Sequence, residues 1–400
     1  MPEYIGTGEI VLLSVTRFWP SWLGIAITLA ACWPIRDRLG VFGRLYGSTI
    51  GMTGLIIVLF WVFTAIFADF IATLGPLEQS FSAGIKKGLP GITDTESGIV
   101  FLWGGDNLAR DVFSRVVHGC RIVLIVAPAA TLIAYMVGST LGLPAGYFRG
   151  WTDSVSSFLA NLILAFPVIL LFYLLVTPEV RTPLPVDLGI VTIPWSIPIG
   201  MAAVFFLFPI IFLCTMWFTK HENNQGKLVA YLGVTLVLGL WGYAALVFDA
   251  DPFGILSMEP NMLNVFAAVI LGSSPGVFRI VRGLTMDIMT RDYVAAAQTR
   301  GERPWYIMLW EILPNARGPL IVDFCLRIGY TTILLGTLGF FGLGLQPESP
   351  DWGSMINHGR PFVRLFNTAH LALFPALALM SLVLGLNLLA DGLREESLKD

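Results

Sequence analysis

Charged residues are scarce in this 400-residue chain: Asp, Glu, Lys and Arg make up 13% of it against 56% hydrophobic residues. With a mean hydropathy of +0.76, too little polar surface exists to wet a globule, which excludes a soluble domain and leaves a polytopic membrane protein. A phosphate-cradling GxxxxGK[ST] segment is missing, since Lys87-Gly88 and Gly226-Lys227 lack the upstream glycine, so the chain holds no nucleotide site of that kind. His118, His221, His358 and His370 are scattered and form no HExxH pattern. Catalysis is therefore not expected. The four cysteines, Cys32, Cys120, Cys214 and Cys325, lie in or beside apolar runs without metal spacing and read as buried, inert thiols. Met1 to Glu9 carries two acids and no base, which argues against a cleaved secretory signal. No internal repeat and no low-complexity run is present.

What is present is a series of long apolar runs. Crossing the hydrocarbon as a helix takes about 20 residues, and helices alone satisfy their own backbone in lipid without closing a barrel. Nine candidate spans lie near 11–34, 50–72, 122–146, 154–177, 194–217, 228–249, 261–278, 318–345 and 370–392. Arg17 and Pro20 interrupt the first, which either crosses or lies on the surface. Most Trp and Phe residues are expected to face lipid or the interface. If the segment from Arg279 to Arg317 is cytoplasmic and spans alternate, 14 of the 24 basic residues fall inside and 8 outside, with Arg17 and Arg327 within spans. The positive-inside preference supports that topology, with a cytoplasmic C-terminus.

The cation-rich segment between the seventh and eighth spans carries the most information. Thr290 is expected to cap a short helix opening with Asp292 and Tyr293, Gly301 to stop it in a left-handed conformation, and Pro304 to start a second helix over Trp305–Ile312. Pro314 stands just before the next span. Ala295, Ala296 and Ala297 form a patch with almost no side chain, either because alanine favours helix or because another surface approaches there. The three alanines, Gly301 after three intervening residues, and Leu313-Pro314 at the end resemble the EAA loop of ABC importer permeases, which docks into a cleft on the ATPase subunit. Ala295 stands in place of the usual Glu and Glu311 in place of the usual Ile.

Further motifs narrow the resemblance. Gly104-Gly-Asp-Asn-Leu-Ala-Arg-Asp-Val-Phe-Ser-Arg115 with Gly119 and Arg121, Gly146-Tyr-Phe-Arg-Gly-Trp-Thr-Asp153 with Leu164-Ala-Phe-Pro167, Leu338-Gly-Phe-Phe-Gly-Leu-Gly-Leu345 with Pro350-Asp-Trp-Gly-Ser-Met355, and Asp391-Gly-Leu-Arg394 occur in that order. They resemble the C-type subunit of the dipeptide, oligopeptide and nickel permease family over residues 36–177 and 261–400. The resemblance implies an all-α type I ABC importer transmembrane fold of six core helices, here with about three extra spans. It divides the chain into an N-terminal extension, 1–49, with a candidate extra span; three core spans over 50–177 with an external loop 73–121; an inserted two-span segment, 178–260; and three core spans over 261–400 with a coupling loop 285–314. It further implies a bacterial inner-membrane location, a second permease subunit forming a heterodimer, two ABC ATPase subunits that bind the ATP and Mg, an extracytoplasmic substrate-binding protein, and peptides as cargo. Lipid is a partner and nucleic acid is not. The contact with the ATPases is assigned to 290–314, through Asp292, Tyr293, Ala295, Ala296, Ala297, Gly301, Leu313 and Pro314.

Several residues are readable without the family. From Asp106 onward, Leu108, Val112, Phe113, Val116, Val117 and Cys120 fall on one helical face and Arg110, Asp111, Ser114, Arg115 and His118 on the other. This pattern predicts an amphipathic helix lying at the outer membrane surface before the span from Ile122. Gly336, Gly339, Gly342 and Gly344 mark close helix packing or a re-entrant loop. The insert's even number of crossings keeps everything after it in the same orientation, and the rim of the bundle is its expected location. Asp323 and Arg327, four apart inside a span, either neutralise each other or line the translocation path. Were they an ion-coupled site, the protein would be a secondary transporter or channel, with inverted repeats that the chain does not display. A membrane scaffold is a third reading.

Overall fold

The computed structural model describes residues 3–82, 84–176, 184–187, 192–222, 224–248, 251, 254, 260–343, 348–362 and 368–397. Gly344 and Leu345 of the glycine-rich motif, and the start of the insert at 178–183, lie outside them. The long helices are α1 (Thr7–Arg17), α2 (Trp19–Cys32), α3 (Thr49–Ile66), α4 (Val112–Phe148), α5 (Gly150–Ala165), α6 (Val168–Val176), α7 (Ile197–His221), α8 (Gln225–Phe248), α9 (Pro260–Ile288), α10 (Asp292–Thr299), α11 (Arg317–Phe340), α12 (Trp352–Gly359) and α13 (His370–Ser397). Among the described residues seven helices are long and apolar enough to cross a bilayer, and the bent pairs at the first and fourth predicted spans raise this to nine. The fourth span breaks by 89°. Its hinge is Phe166, held extended by the proline that follows it.

The chain divides into two compact units, Met1–Pro128 with Cys325–Asp400, and Ala129–Phe324. In the first, α3 and α13 meet backbone to backbone. A Cβ on Gly54 would stand 2.3 Å from the Leu389 nitrogen, and one on Gly392 would stand 2.3 Å from Gly51 Cα. Glycines at a crossing let helices gain dispersion contacts where lipid supplies no hydrophobic drive. The same device joins α11 to α12, where a Cβ on Gly353 would lie 2.2 Å from the Gly336 carbonyl oxygen and one on Gly339 2.9 Å from the Ser354 nitrogen; close packing is thus the role of Gly336 and Gly339, while Gly342 takes a left-handed φ of +72°. Helix α2 runs antiparallel to α3, with Ser21 bonded to Thr64 at one end (3.0 Å) and the Tyr46 hydroxyl to the Leu29 carbonyl at the other (2.9 Å).

The amphipathic helix expected from Asp106 is absent. Residues 106–111 form turns, and α4 begins at Val112 and runs 37 residues without a break at Ile122. That is roughly 55 Å, well beyond the ~30 Å hydrocarbon core. The polar set meets protein instead of water, for Arg110, Asp111, Ser114 and Arg115 are all 2% exposed or less. Asp106 accepts from the Arg110 Nε at 2.7 Å and from the amides of Leu108 and Arg110. Asp111 caps α4 through the Phe113 and Ser114 amides and also accepts from Thr73 at 2.6 Å. The Arg115 guanidinium donates to the carbonyls of Pro76 (2.9 Å), Ser349 (3.1 Å) and Glu348 (3.4 Å). Trp352, fully buried, closes the knot by donating from Nε1 to the Val116 carbonyl.

A three-stranded antiparallel sheet, β1 (Glu3–Tyr4), β2 (Ile92–Thr93) and β3 (Val100–Phe101), flanks this knot in the same unit. Asp94 organises the turn after β2. Burial opposes its charge, yet donors from Ser82, the Glu96 amide, Ser97 and Ser80 hold its carboxyl well below the usual carboxylate range. Burial pushes Asp111 and Asp351 the other way, upward, despite the hydrogen bonds each accepts.

In the second unit α9 is the axis, two thirds buried along its apolar window. Gly138, Gly142 and Gly146 let α4 lie on it, the Gly138 Cβ position being 2.6 Å from Val277 Cγ1 and that of Gly146 2.8 Å from the Arg282 carbonyl oxygen. Asp153 at the start of α5 pairs with Arg282 of α9. The insert forms a backbone hairpin of β4 (Leu184–Asp187) and β5 (Thr192–Trp195), then the antiparallel pair α7 and α8. Helix α7 packs on α9, with Phe206 stacked on Phe266 at 5.8 Å. Helix α8 packs on α7 and leaves Val229, Val234, Val237, Leu238 and Leu240 exposed. Cys120 and Cys325 are buried; Cys32 and Cys214 are half-buried rather than enclosed.

Candidate functional site

Helix α10 and the segment after it form one anchored element. Val294 and Ala297 are wholly buried, in a cluster with Leu143 of α4, Val277, Val281 and Ile288 of α9, and Ile307, Met308, Leu309 and Ile312. Helical geometry then turns the intervening residues outward, since positions three apart share a face. Asp292, Tyr293, Ala295, Ala296 and Gly301 are all exposed, as is Pro314, and Leu313 is half-buried. The three-alanine patch is therefore a pair: Ala297 belongs to the core beneath it.

The ends of α10 are made differently from each other. Thr290 does not cap it; the Thr290 hydroxyl donates to the Asp287 carbonyl at 2.7 Å, and Arg291 occupies the cap position without a side-chain bond. A hydroxyl one residue too early finishes the preceding helix instead of starting the next. The C-terminal end follows expectation. Gly301 has φ +79°, its amide bonds to the Gln298 carbonyl at 3.0 Å, and the Glu302 amide reaches back to Ala297 at 3.2 Å, the paired bonds of a Schellman stop.

The second expected helix, Trp305–Ile312, is mostly a π-helix. Pro304–Tyr306 and Leu313–Asn315 are α-helical turns flanking a π segment at Ile307–Ile312. Pro314 offers no amide to the Trp310 carbonyl and its ring crowds that oxygen, and a widened turn is one way to absorb the misfit. The wider turn lets Ile307, Met308, Leu309 and Ile312 all bury. Glu311, the departure from the usual Ile, is tied to Arg300 at 3.0 Å, which links the two halves of the loop. Gln298 reaches the Tyr147 hydroxyl at 3.5 Å. The result is a rigid knuckle whose inner face is bundle core and whose outer face is small, flat and exposed.

Asp323 and Arg327 are both half-buried on α11. Asp323 accepts a hydrogen bond from Tyr135 of α4, whose oxygen also lies 3.2 Å from the Leu320 carbonyl. Tyr135 was not singled out by the sequence reading. Its signal was a lone phenol in the middle of an apolar span, where a hydroxyl must find a partner.

Long apolar helices with an anchored, exposed knuckle between two of them are thus the frame of this site. Residues 138–395 match the family described as binding-protein-dependent transport system inner membrane component, and the chain belongs to that family. It is similar to the glutathione transport system permease protein GsiD of Pectobacterium atrosepticum, 30% identical over 292 residues that cover 73% of this chain and 70% of the relative. It is also similar to dipeptide transport system permease proteins DppC, at 26% identity over 369 residues in Haemophilus influenzae (92% of this chain, 96% of the relative) and 26% over 354 in Alkalihalophilus pseudofirmus (88% and 87%). The chain is thus a multi-span inner-membrane permease subunit of an ATP-driven importer, non-catalytic itself and part of a larger transporter. An ion-coupled secondary transporter built on Asp323 and Arg327 is set aside.

Proposed function

We propose that this permease carries peptides and is driven through the exposed face of residues 290–314. The cargo reading rests on relatives named for dipeptide and glutathione transport. In it a second permease completes the path as a heterodimer, an extracytoplasmic binding protein delivers the peptide, and two ABC ATPase subunits bind and hydrolyse ATP with Mg. The loop and the C-terminus lie on the cytoplasmic side, as the distribution of basic residues favours. The segments 1–49 and 178–260 are additions to a six-span core.

One observation carries the coupling role: Ala295, Ala296 and Gly301 are exposed on a helix whose opposite face, Val294 and Ala297, is locked into the cluster that holds α4, α9 and α11. Push on such a knuckle moves those helices together. Asp323 and Tyr135 then belong to the moving path and give it a polar station. The test is co-purification of the chain with the ATPase encoded beside it, for the parent and for Ala296→Arg and Gly301→Trp. Both variants should lose the ATPase while retaining the second permease. An ATPase that binds both variants as well as it binds the parent contradicts the assignment.

A further inference from the structure

The inserted helix pair, an addition to the six-span core, touches the coupling segment directly. The last turns of α7 bring Thr219, Lys220 and Glu222 to it. The Trp310 indole N–H donates to Thr219 Oγ1 at 3.0 Å, Lys220 Nζ lies 4.8 Å from the centre of the same ring, and Glu222 pairs with Arg303. Phe212 and Met216, earlier on α7, pack against the cluster that holds Ile307, Met308 and Ile312. Trp310 sits in the π segment, so the widened turn both buries the inner residues and aims the indole at α7.

The contact is narrow. A cavity of about 950 Å³ separates Cys214, Phe218, Leu232 and Leu236 of the hairpin from Trp305 and Tyr306. The hairpin meets the loop's core through Phe212 and Met216 of α7. It bears on the loop at one end, through an indole, a cation over its face and an ion pair, while its other end is fixed to α9 by the Phe206 stack.

We infer that the insert is a strut that holds the second half of the coupling segment in register with α9, with Glu222, Thr219 and Lys220 as positioning residues for ATP-driven movement. The inference rests on residues 290–314 being the ATPase contact. Each polar contact is modest alone: the Glu222–Arg303 pair is largely exposed, and such pairs contribute little to stability. A cation over an indole face adds a comparable increment. A strut of this strength biases the position of the loop without freezing it.

The test uses the complete transporter in proteoliposomes with its binding protein, measuring uptake per ATP hydrolysed. Glu222→Arg places like charge against Arg303 and should lower that ratio about threefold, an effect the size of one exposed pair reversed, with the ATPases still bound. The swapped pair, Glu222→Arg with Arg303→Glu, should restore it. Trp310→Phe keeps an aromatic ring there but shortens it and removes the N–H donor to Thr219, and should lower the ratio by a smaller factor without loss of assembled complex. A parent-like ratio in both Glu222→Arg and Trp310→Phe overturns the strut, and an equal loss in Glu222→Arg and the swap does so too. Ala296→Arg, run alongside, tests the coupling reading itself. If it keeps the ATPases bound and coupled, that reading fails whatever the hairpin variants do.

Discussion

Two polar segments interrupt this apolar chain, and they use charge in opposite ways. The knot around Asp106, Asp111 and Arg115 turns its charges inward, onto amides and carbonyls, and exposes Leu108. The knuckle at 290–314 turns its apolar side inward and leaves Asp292, Arg300 and Arg303 in the open. A polar face is thus no guide by itself to what meets it. Where the donors and acceptors are spent within the chain itself, the segment is structural; where the inner face is apolar and the outer face small and open, another protein can be the partner.

The comparison breaks most readily at Arg115. Replacing it with Ala strands the three carbonyls and leaves Asp106 with one fewer cation, and losing one partner of a buried charge set costs ~3–5 kcal/mol. Thermal unfolding of the solubilised protein should show a clear fall, and Arg115→Lys should recover little of it because one ammonium cannot reproduce the fork. A parent-like transition in Arg115→Ala would mean the knot is decoration.

Next in size is the pair Ala297→Arg and Ala296→Arg. Adjacent positions receive the same charge, but Ala297 is wholly buried and Ala296 exposed. The first should unfold or release α10, seen as new proteolysis at 291–303. The second should shift stability by no more than about 0.5 kcal/mol and act only on ATPase binding. Gly353→Ala follows, at ~1–3 kcal/mol for forcing a methyl against the Gly336 carbonyl, measured as the same unfolding transition.

The smallest effect concerns pH. Asp94 has its folded pKa depressed, so the stability it lends is complete above about pH 4 and is lost as pH falls from there through the folded value. Hydrogen exchange over 92–101 should accelerate in that window, and Asp94→Asn should remove the acceleration. Asp111 and Asp351 are shifted upward and contribute with the opposite sign, which is why the variant is compared with the parent at each pH.

Much of this was legible in the sequence. Length and hydropathy located the seven helices long and apolar enough to cross and the two bent pairs, because the bilayer imposes one length on any helix that crosses it. Gly301 announced its left-handed stop, since few residues other than glycine take that conformation cheaply. The periodicity at 106–120 misled for a physical reason: a 3.6-residue repeat reports which residues share a face, not whether water or a carbonyl stands opposite. Thr290 looked like a cap because the boundary of α10 was off by one residue. The insert's even number of crossings could be counted, but its contact with Trp310 could not, for Thr219 lies 91 residues from Trp310 and Glu222 lies 81 from Arg303, and no local pattern joins them.

The most direct test of the account places single cysteines at Ala296 and at Leu108 in a chain whose four native cysteines are replaced by Ser. Both positions are exposed. With a short bifunctional thiol reagent in membranes holding the whole transporter, Ala296→Cys should cross-link to an ATPase subunit and Leu108→Cys should not. Cross-linking from both, or from Leu108 alone, would contradict the assignment of the knuckle as the coupling surface.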